Sequence, residues 1–415
     1  MRADTVIIGG GAAGLFAACE LSRCRQNVVV LEPNSKLGRK LRITGKGRCN
    51  VTNNCDVETV LKNVPKNPRF LYSALSLLSP DDVMAWFESH GVPLKTERGN
   101  RVFPVSDKAD DIADALVSEC KRFHVRFVKD KATELIMDDG VLLGVKGERD
   151  EYFAQNVIIA TGGRSYPKTG STGDGYLLAE SVGHTVTNIK PSLVPIVTYE
   201  RFVCELTDLT LKNVTLALFD KKKKSPLFSE IGEMTFMPYG IAGPLSLSAS
   251  CLMNVDALAE RRYTLSVDLK PGLTSEQLDA RILRDFSSEP TMLFMNSLGK
   301  LLPRSLIPVI VDLSHVPPLK PVNQITREER MDLVRLLKNL TLTPVDLRPI
   351  DEAIITSGGV NVKEINPATM ESKLVDGLYF AGEIIDCDGY TGGFNLQIAF
   401  STAYCAARAI IDMED

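Results

Sequence analysis

The sequence predicts an α/β protein built on a parallel sheet that both ends of the chain share, interrupted by a β-rich insertion enclosing a helical segment. Three observations predict this. The apolar, β-branched run Thr5–Ile8 stops at a glycine cluster and gives way to helical periodicity, the opening of a βαβ unit. Composition shifts near Pro191, and strand-like segments then crowd residues 193–268. Two capping boxes follow, Thr274 with Gln277 and Thr326 with Glu329, before strand-like residues return at 378–381.

The chain has 415 residues, enough for two to three domains at about 150 residues each. With 44% hydrophobic and 24% charged residues it can bury a large core, and a net charge of −4 excludes chain-wide attraction to polyanions. Nine scattered cysteines without a C-x-x-C pair, and four isolated histidines, point to free thiols in a reducing compartment and to no metal site. Arg2 precedes an apolar run too short for a signal peptide, and no stretch of about 18 apolar residues occurs. The expectation is a soluble cytoplasmic protein without a membrane span.

In chain order, a strand over 5–8 leads into a helix from Gly14 with Leu15, Ala18 and Leu21 on one face, then a strand over 28–31 ending at Glu32. Ser79 and Pro80 open a helix to about His90, and a second helix spans about 108–123 with Ile112, Ala115, Leu116 and Cys120 as its apolar face. Strands at 125–129, 133–137, 141–146 and 157–160 read as a small antiparallel sheet returning to the main one. In the insertion, strands are expected at 194–197, 215–219 and 263–269, with Lys221–Lys224 as a solvated hairpin tip. Helices are expected after Thr274, over 293–302 and 305–313, and after Thr326; a strand over 353–355 and a helix over 395–411 close the chain. The domain boundaries drawn from this are 1–190, 191–271, 272–340, 341–360 and 361–415.

Chemistry enters with Gly9-Gly10-Gly11-Ala12-Ala13-Gly14, a G-x-G-x-x-G placed between a strand and a helix. Gly9 permits the tight turn, Gly11 lets backbone approach a pyrophosphate, and Gly14 allows close helix–strand packing, while the helix dipole faces the phosphates. Glu32, 18 residues after Gly14, is placed to accept ribose hydroxyls and to repel a 2′-phosphate. This is a Rossmann-like fingerprint for FAD or NAD. Three further segments favour FAD. The basic, glycine-rich stretch from Gly38 through Arg39, Lys40, Thr44, Gly45, Lys46, Gly47, Arg48, Cys49 and Asn50 suits a polyanionic cofactor. One strand ends in Ala160-Thr161-Gly162-Gly163, and another in Gly382-Glu383, whose carboxylate could bind sugar hydroxyls. Ala132, just before the strand over 133–137, joins the cofactor-contact set.

The segments GGGAAG, GRKLRITGKGRCNVTN, ATGGRSYPKTGSTGDGY, GPLSLSAS and the string from TSGGVNVKEINPATM to GGFNLQIAFSTAYCAAR together resemble the YhiN/BaiN-like bacterial flavoproteins of the glutathione-reductase-type FAD superfamily. The resemblance covers essentially the whole chain. It departs at Ile43-Thr44-Gly45-Lys46, where that family more usually has serine and a glycine pair. It implies a Rossmann-like FAD-binding domain made from both chain ends, a β-barrel-like insertion and a nested helical subdomain. It also implies that Gly45–Asn50 run along the flavin, and that Gly393, Phe394, Asn395 and Leu396 bring a helix N terminus to its pyrimidine end, where reduced flavin is anionic. No histidine lies in these segments, so the FAD is expected to be non-covalent. Cys49, lacking a resolving partner at C-x-x-C spacing, reads as a packing thiol.

The sequence has no second glycine fingerprint, so NAD(P)H, the expected electron donor, lacks a domain of its own. By the resemblance, the reaction is reduction of an activated C=C in a small apolar substrate such as a 3-oxo-4-ene bile-acid or steroid ring. Tyr166 and Tyr390 are the candidate proton donors and Arg164 the candidate oxyanion partner; His184 reads as structural. The alternatives are an FAD-dependent dehydrogenase or oxidase of another metabolite, an RNA-modifying flavoprotein, which the acidic balance disfavours, and a redox sensor.

Overall fold

Thr5–Ile8 (β1) is buried at all four positions, as a strand covered on both faces must be. In the computed structural model, which describes residues 1–413, β1 is the centre of a five-stranded sheet. Val28–Leu31 (β2) lies on one side of it with Arg126–Val128 (β3) beyond; Asn156–Ile159 (β4) lies on the other with Leu378–Phe380 (β5) beyond. All four pairings are parallel, Ile7 standing opposite both Val30 and Ile158, and Ile158 opposite Tyr379. Helix α1 (Ala12–Arg23) connects β1 to β2 and packs against α2 (Ala109–Arg122) and α3 (Phe394–Asp412). Buried Ala13, Gly14, Ala17 and Ala18 allow these close approaches.

The four strand segments expected between 125 and 160 do not form one sheet. β3 and β4 join the main sheet in parallel, β3 after the crossover helix α2 and β4 after a crossover made by the small antiparallel sheet. Only Ala132–Asp138 and Val141–Gly147 pair antiparallel, and Glu151–Phe153, absent from the sequence expectation, completes that small sheet. Ser79 caps Pro80–Ser89 with its side chain, as expected.

The chain divides into two units, Met1–Ser192 together with the residues from Pro349 on, and Leu193–Arg348. Residues 349–360, expected in the return through the insertion, lie with the first unit, where Ile355–Ser357 pairs antiparallel with Lys190–Ser192. The second unit is a seven-stranded antiparallel sheet in the order Leu340–Leu342, Tyr263–Asp268, Thr210–Asp220, Phe228–Met237, Gly240–Ala242, Ile196–Thr198, Pro344–Leu347. Its two edge strands are consecutive in sequence, with only Thr343 between them. Opposite edges so joined force the sheet to curl back on itself, a barrel-like form. Lys221–Lys224 are exposed at the turn between two of its strands. Ser275–Ser288, Phe294–Ser297, Ile307–Leu313 and Arg327–Lys338 form the nested helical segment, and both capping boxes form as expected. Among the described residues, no helix is long and apolar enough to cross a membrane.

Candidate cofactor and active site

The glycine turn shows why each glycine is there. A Cβ on Gly9, whose φ is +109°, would lie 2.6 Å from the Ala160 carbonyl oxygen, and one on Gly14 would lie 1.9 Å from the Gly9 oxygen. At Gly11 a Cβ would meet no protein atom within 4 Å, so the backbone there faces open space. No side chain caps α1, and the first-turn N–H groups of any α-helix lack carbonyl partners within it. Open space before uncapped N–H groups is what an approaching pyrophosphate requires.

Glu32 stands at the end of β2. Its Oε2 accepts the Gly10 amide at 2.9 Å, and its Oε1 accepts the backbone and side-chain N–H of Asn34 at 2.9 and 2.7 Å. A carboxylate offers about four acceptor sites, so capacity remains for sugar hydroxyls. Arg39 reaches Asn34 Oδ1 at 2.7 Å and thus supports Glu32 through Asn34. Gly38 donates to the Gly10 carbonyl at 2.8 Å, fastening the basic segment to the glycine turn.

Beyond Gly38 the segment forms one short helix, Arg39–Ile43, and then tight turns to Asn50. Thr44 Oγ1 donates to the Lys40 carbonyl, and Cys49 N donates to the Thr44 carbonyl at 2.9 Å. Lys46 and Cys49 have φ of +60° and +58°; such conformations cost side-chain-bearing residues free energy and recur at ligand sites. Cys49 is wholly buried and its thiol is pushed far up by desolvation, the setting of a packing thiol. Asn50 Oδ1 is buried without a hydrogen-bond partner. An orphaned acceptor in a strained, glycine-rich loop is a place for a ligand N–H. Arg48 turns elsewhere: its guanidinium binds Glu97 and Asp107 and lies 4.2 Å over the Phe103 ring. Its guanidinium is thus largely committed to these carboxylates. An Arg48→Ala variant should therefore keep its full flavin content, measured as the absorbance ratio of flavin to protein.

A polar knot joins three distant segments. Lys40 Nζ donates to Glu383 Oε2 at 2.6 Å and to Ser165 Oγ at 2.7 Å. Glu383 Oε1 accepts the Thr356 amide at 2.8 Å and the Ser165 hydroxyl at 3.0 Å, while Thr356 Oγ1 accepts the amides of Arg164 and Ser165. Glu383, expected to bind sugar hydroxyls, accepts three protein donors, as Glu32 does, and like Glu32 keeps capacity for a further one. A Cβ on Gly163 would strike both Thr356 Oγ1 and Glu383 Oε1, so the end of the A-T-G-G segment is packed directly on this knot. Ala160 donates to the Ile8 carbonyl at 2.9 Å, and Thr161 and Gly162 follow it at the mouth of the sheet. Ala132 is buried and pairs with Gly147 in the small antiparallel sheet.

Helix α3 begins at Gly393, with φ of +100° and no side-chain cap. A Cβ there would lie 2.3 Å from the Thr52 carbonyl oxygen. Asn53 Nδ2 donates to Gly392 O, Thr52 Oγ1 to Gln397 Oε1, and Asn395 clasps Gly389 in both directions at 2.8 Å. Phe394 is buried and Leu396 half-buried against the same core. Gly382, Gly393 and the segment after Asn50 thus meet around α1; sequence reasoning missed Thr356 and Gln397, which clamp Glu383 and Thr52, and Asn34, which holds Glu32 and Arg39. Asn53, Thr356 and Gln397 sat in segments the sequence had flagged; Asn34 lay outside them.

Of the catalytic candidates, Tyr166 is half-buried at φ +52°, its carbonyl accepting the Thr169 amide and hydroxyl. Arg164 is exposed, and Tyr390 is half-buried with its amide on the Asn63 carbonyl. His184 is buried, donor or acceptor to Ser372 at 2.8 Å and edge-on to Phe380, and burial pulls its pKa down, which suits a structural ring.

The uncapped N termini of α1 and α3, the Glu32 carboxylate and the orphaned Asn50 acceptor fit FAD, and they define a class: an FAD-dependent oxidoreductase on a Rossmann-like domain. The model of the HI0933-like protein Rossmann domain matches residues 3–409, and the chain belongs to that family. It is 30% identical over 405 residues to the 3-dehydro-bile acid delta(4,6)-reductase of Clostridium scindens, covering 97% of this chain and 98% of that one. It is likewise 30% identical over 414 residues to the ribosomal RNA dihydrouridine synthase of Haemophilus influenzae, covering 98% of each. Among solved structures, the 3-ketosteroid delta1-dehydrogenase of Sterolibacterium denitrificans matches with a TM-score of 0.54 at 13% identity, covering 99% of this chain and all of that one, a likeness of fold.

Proposed function

We propose that this protein reduces a C=C bond conjugated to a carbonyl, with a 3-oxo-4-ene steroid or bile-acid intermediate as the leading substrate and NAD(P)H as electron donor. The observation that carries the reading is the 30% identity, over nearly the full length of both chains, to a bile acid delta(4,6)-reductase. The site's chemistry agrees with it. FAD, when bound, supplies hydride chemistry. The N–H groups at the start of α1 hold its pyrophosphate, Glu32 its sugar hydroxyls, and those from Gly393 to Leu396 favour negative charge at its pyrimidine end. Tyr166 or Tyr390 donates the proton, and Arg164 holds the negative charge that develops on the substrate oxygen.

To test it, the flavin is reduced anaerobically, a 3-oxo-4-ene steroid is added, and flavin absorbance is followed. Prompt reoxidation with a saturated ketone as product is expected, slowed about 10²–10⁴-fold in whichever of Tyr166→Phe and Tyr390→Phe removes the donor. Flavin that stays reduced toward the steroid yet is reoxidised by a quinone overturns the assignment. A second reading is favoured by the relative named a ribosomal RNA dihydrouridine synthase, since the uracil C5=C6 bond is also conjugated to a carbonyl. Dihydrouridine appearing in ribosomal RNA incubated with the reduced protein, and no steroid turnover, selects it.

A further inference from the structure

Asp388 is a buried carboxyl with no part in the cofactor contacts described above. The residue is 3% exposed. Ser192 Oγ donates to its Oδ2 at 2.9 Å and Ser357 Oγ to its Oδ1 at 3.1 Å. Two hydroxyl donors compensate a buried carboxylate poorly, because neither carries charge. The groups facing it come from three elements. Lys190, on the strand that carries Ser192, and Lys66 act on it only through space, and Lys66 reaches Asp386 at 2.5 Å. On its own segment, Cys387 is buried and held neutral by desolvation. Desolvation outweighs the pull of the serines and lysines, so the pKa of Asp388 is raised above the ordinary carboxylate range.

Its position matters as much as its burial. The next residue, Gly389, exchanges hydrogen bonds with Asn395 in the first turn of α3, and a Cβ on Gly389 would lie 3.0 Å from Phe394 Cβ. On the other side, Ser357 follows Thr356, whose amide and hydroxyl hold Glu383 and the Arg164–Ser165 backbone. The carboxyl therefore sits between the uncapped helix start and the polar knot, both of which border the cofactor site.

We propose that Asp388 is the proton store of this site, taking up one proton as the bound flavin is reduced and releasing it when the electron pair leaves for the substrate. This rests on the flavin-dependent reduction proposed above. In that reaction hydride forms a C–H bond at the β-carbon, and the π pair shifts toward the carbonyl. A proton then closes the α-carbon. Tyr166 or Tyr390 gives that proton and recovers it from Asp388, which goes from carboxylic acid to carboxylate and is reprotonated from solvent when a dihydronicotinamide reduces the flavin again.

The test measures the flavin midpoint potential of the holoprotein against pH, without substrate, so it is independent of which acceptor reoxidises the flavin. Near neutral pH the parent is expected to take up two protons per two electrons, and Asp388→Asn only one, halving the slope. Ser357→Ala keeps the carboxyl but removes a donor to its charged form, so the pH at which the parent's slope breaks is expected to move upward. Identical slopes in parent and Asp388→Asn overturn the proposal. Should that variant not retain flavin, an unmoved break in Ser357→Ala overturns it equally.

Discussion

A Gly14→Ala variant is expected to emerge from purification without flavin and with a markedly lower melting temperature. The added methyl would lie 1.9 Å from the Gly9 carbonyl oxygen and 3.3 Å from Ile7 Cγ2. Neither neighbour can rotate away, because Gly9 is itself held against Ala160 and β1 is buried between β2 and β4. Relief requires α1 to lift from β1, which misaims its first-turn N–H groups and disturbs its packing on α2 and α3. Overpacking of this kind costs about 3 kcal/mol or more, a fall of roughly 5–10 °C for a unit of this size. Flavin content and thermal unfolding read the two effects separately, and a variant with full flavin and an unchanged midpoint would refute the packing argument.

Glu383→Ala is expected to have the second largest effect, about 2 kcal/mol of stability together with at least a tenfold loss in FAD affinity. The carboxylate accepts from Lys40, Ser165 and the Thr356 amide at once. Its removal strands an ammonium and a backbone donor. Because the side chains of Glu383 and Lys40 are 20% and 24% exposed, solvent softens the loss below that of a fully buried pair. Glu383→Gln retains acceptor geometry without charge and should fall between. Fluorescence titration of the apoprotein with FAD measures the affinities; equal affinity in the alanine variant would show that the knot does not support the cofactor.

The legible parts of this protein were those specified locally. Thr5–Ile8 followed by glycines and helical periodicity declared β1 and α1, and Ser79, Thr274 and Thr326 each capped the helix their spacing announced. Strand partners were not legible, since β3 and β4 are three and four residues long and nothing within them names β2 or β1 as neighbour. Phe228–Met237 escaped because Glu230, Gly232 and Glu233 break its alternation. In the site, the positions of the glycines after β1 and of Glu32 at the end of β2 were legible because each follows a strand at a fixed offset. Arg48 was not, because Glu97 and Asp107 decide where its guanidinium points. Nor was Asp388, whose burial depends on serines 196 and 31 residues away.

The order of strands also constrains how the chain can be made. β4 is complete by residue 159, but its outer neighbour β5 begins only at Leu378. As the protein leaves the ribosome, the contiguous unit Leu193–Arg348 has all its strands before the first unit has its last. The free edge of β4, a row of unpaired N–H and C=O groups in an apolar strand, is therefore exposed for as long as the ribosome takes to add the insertion. Long-range closure of a parallel sheet is slow even when the whole chain is present. Chaperone capture during synthesis would fall most heavily on that edge, and cofactor loading, which needs Gly382 and Gly393 in place, becomes one of the last steps in assembling the protein.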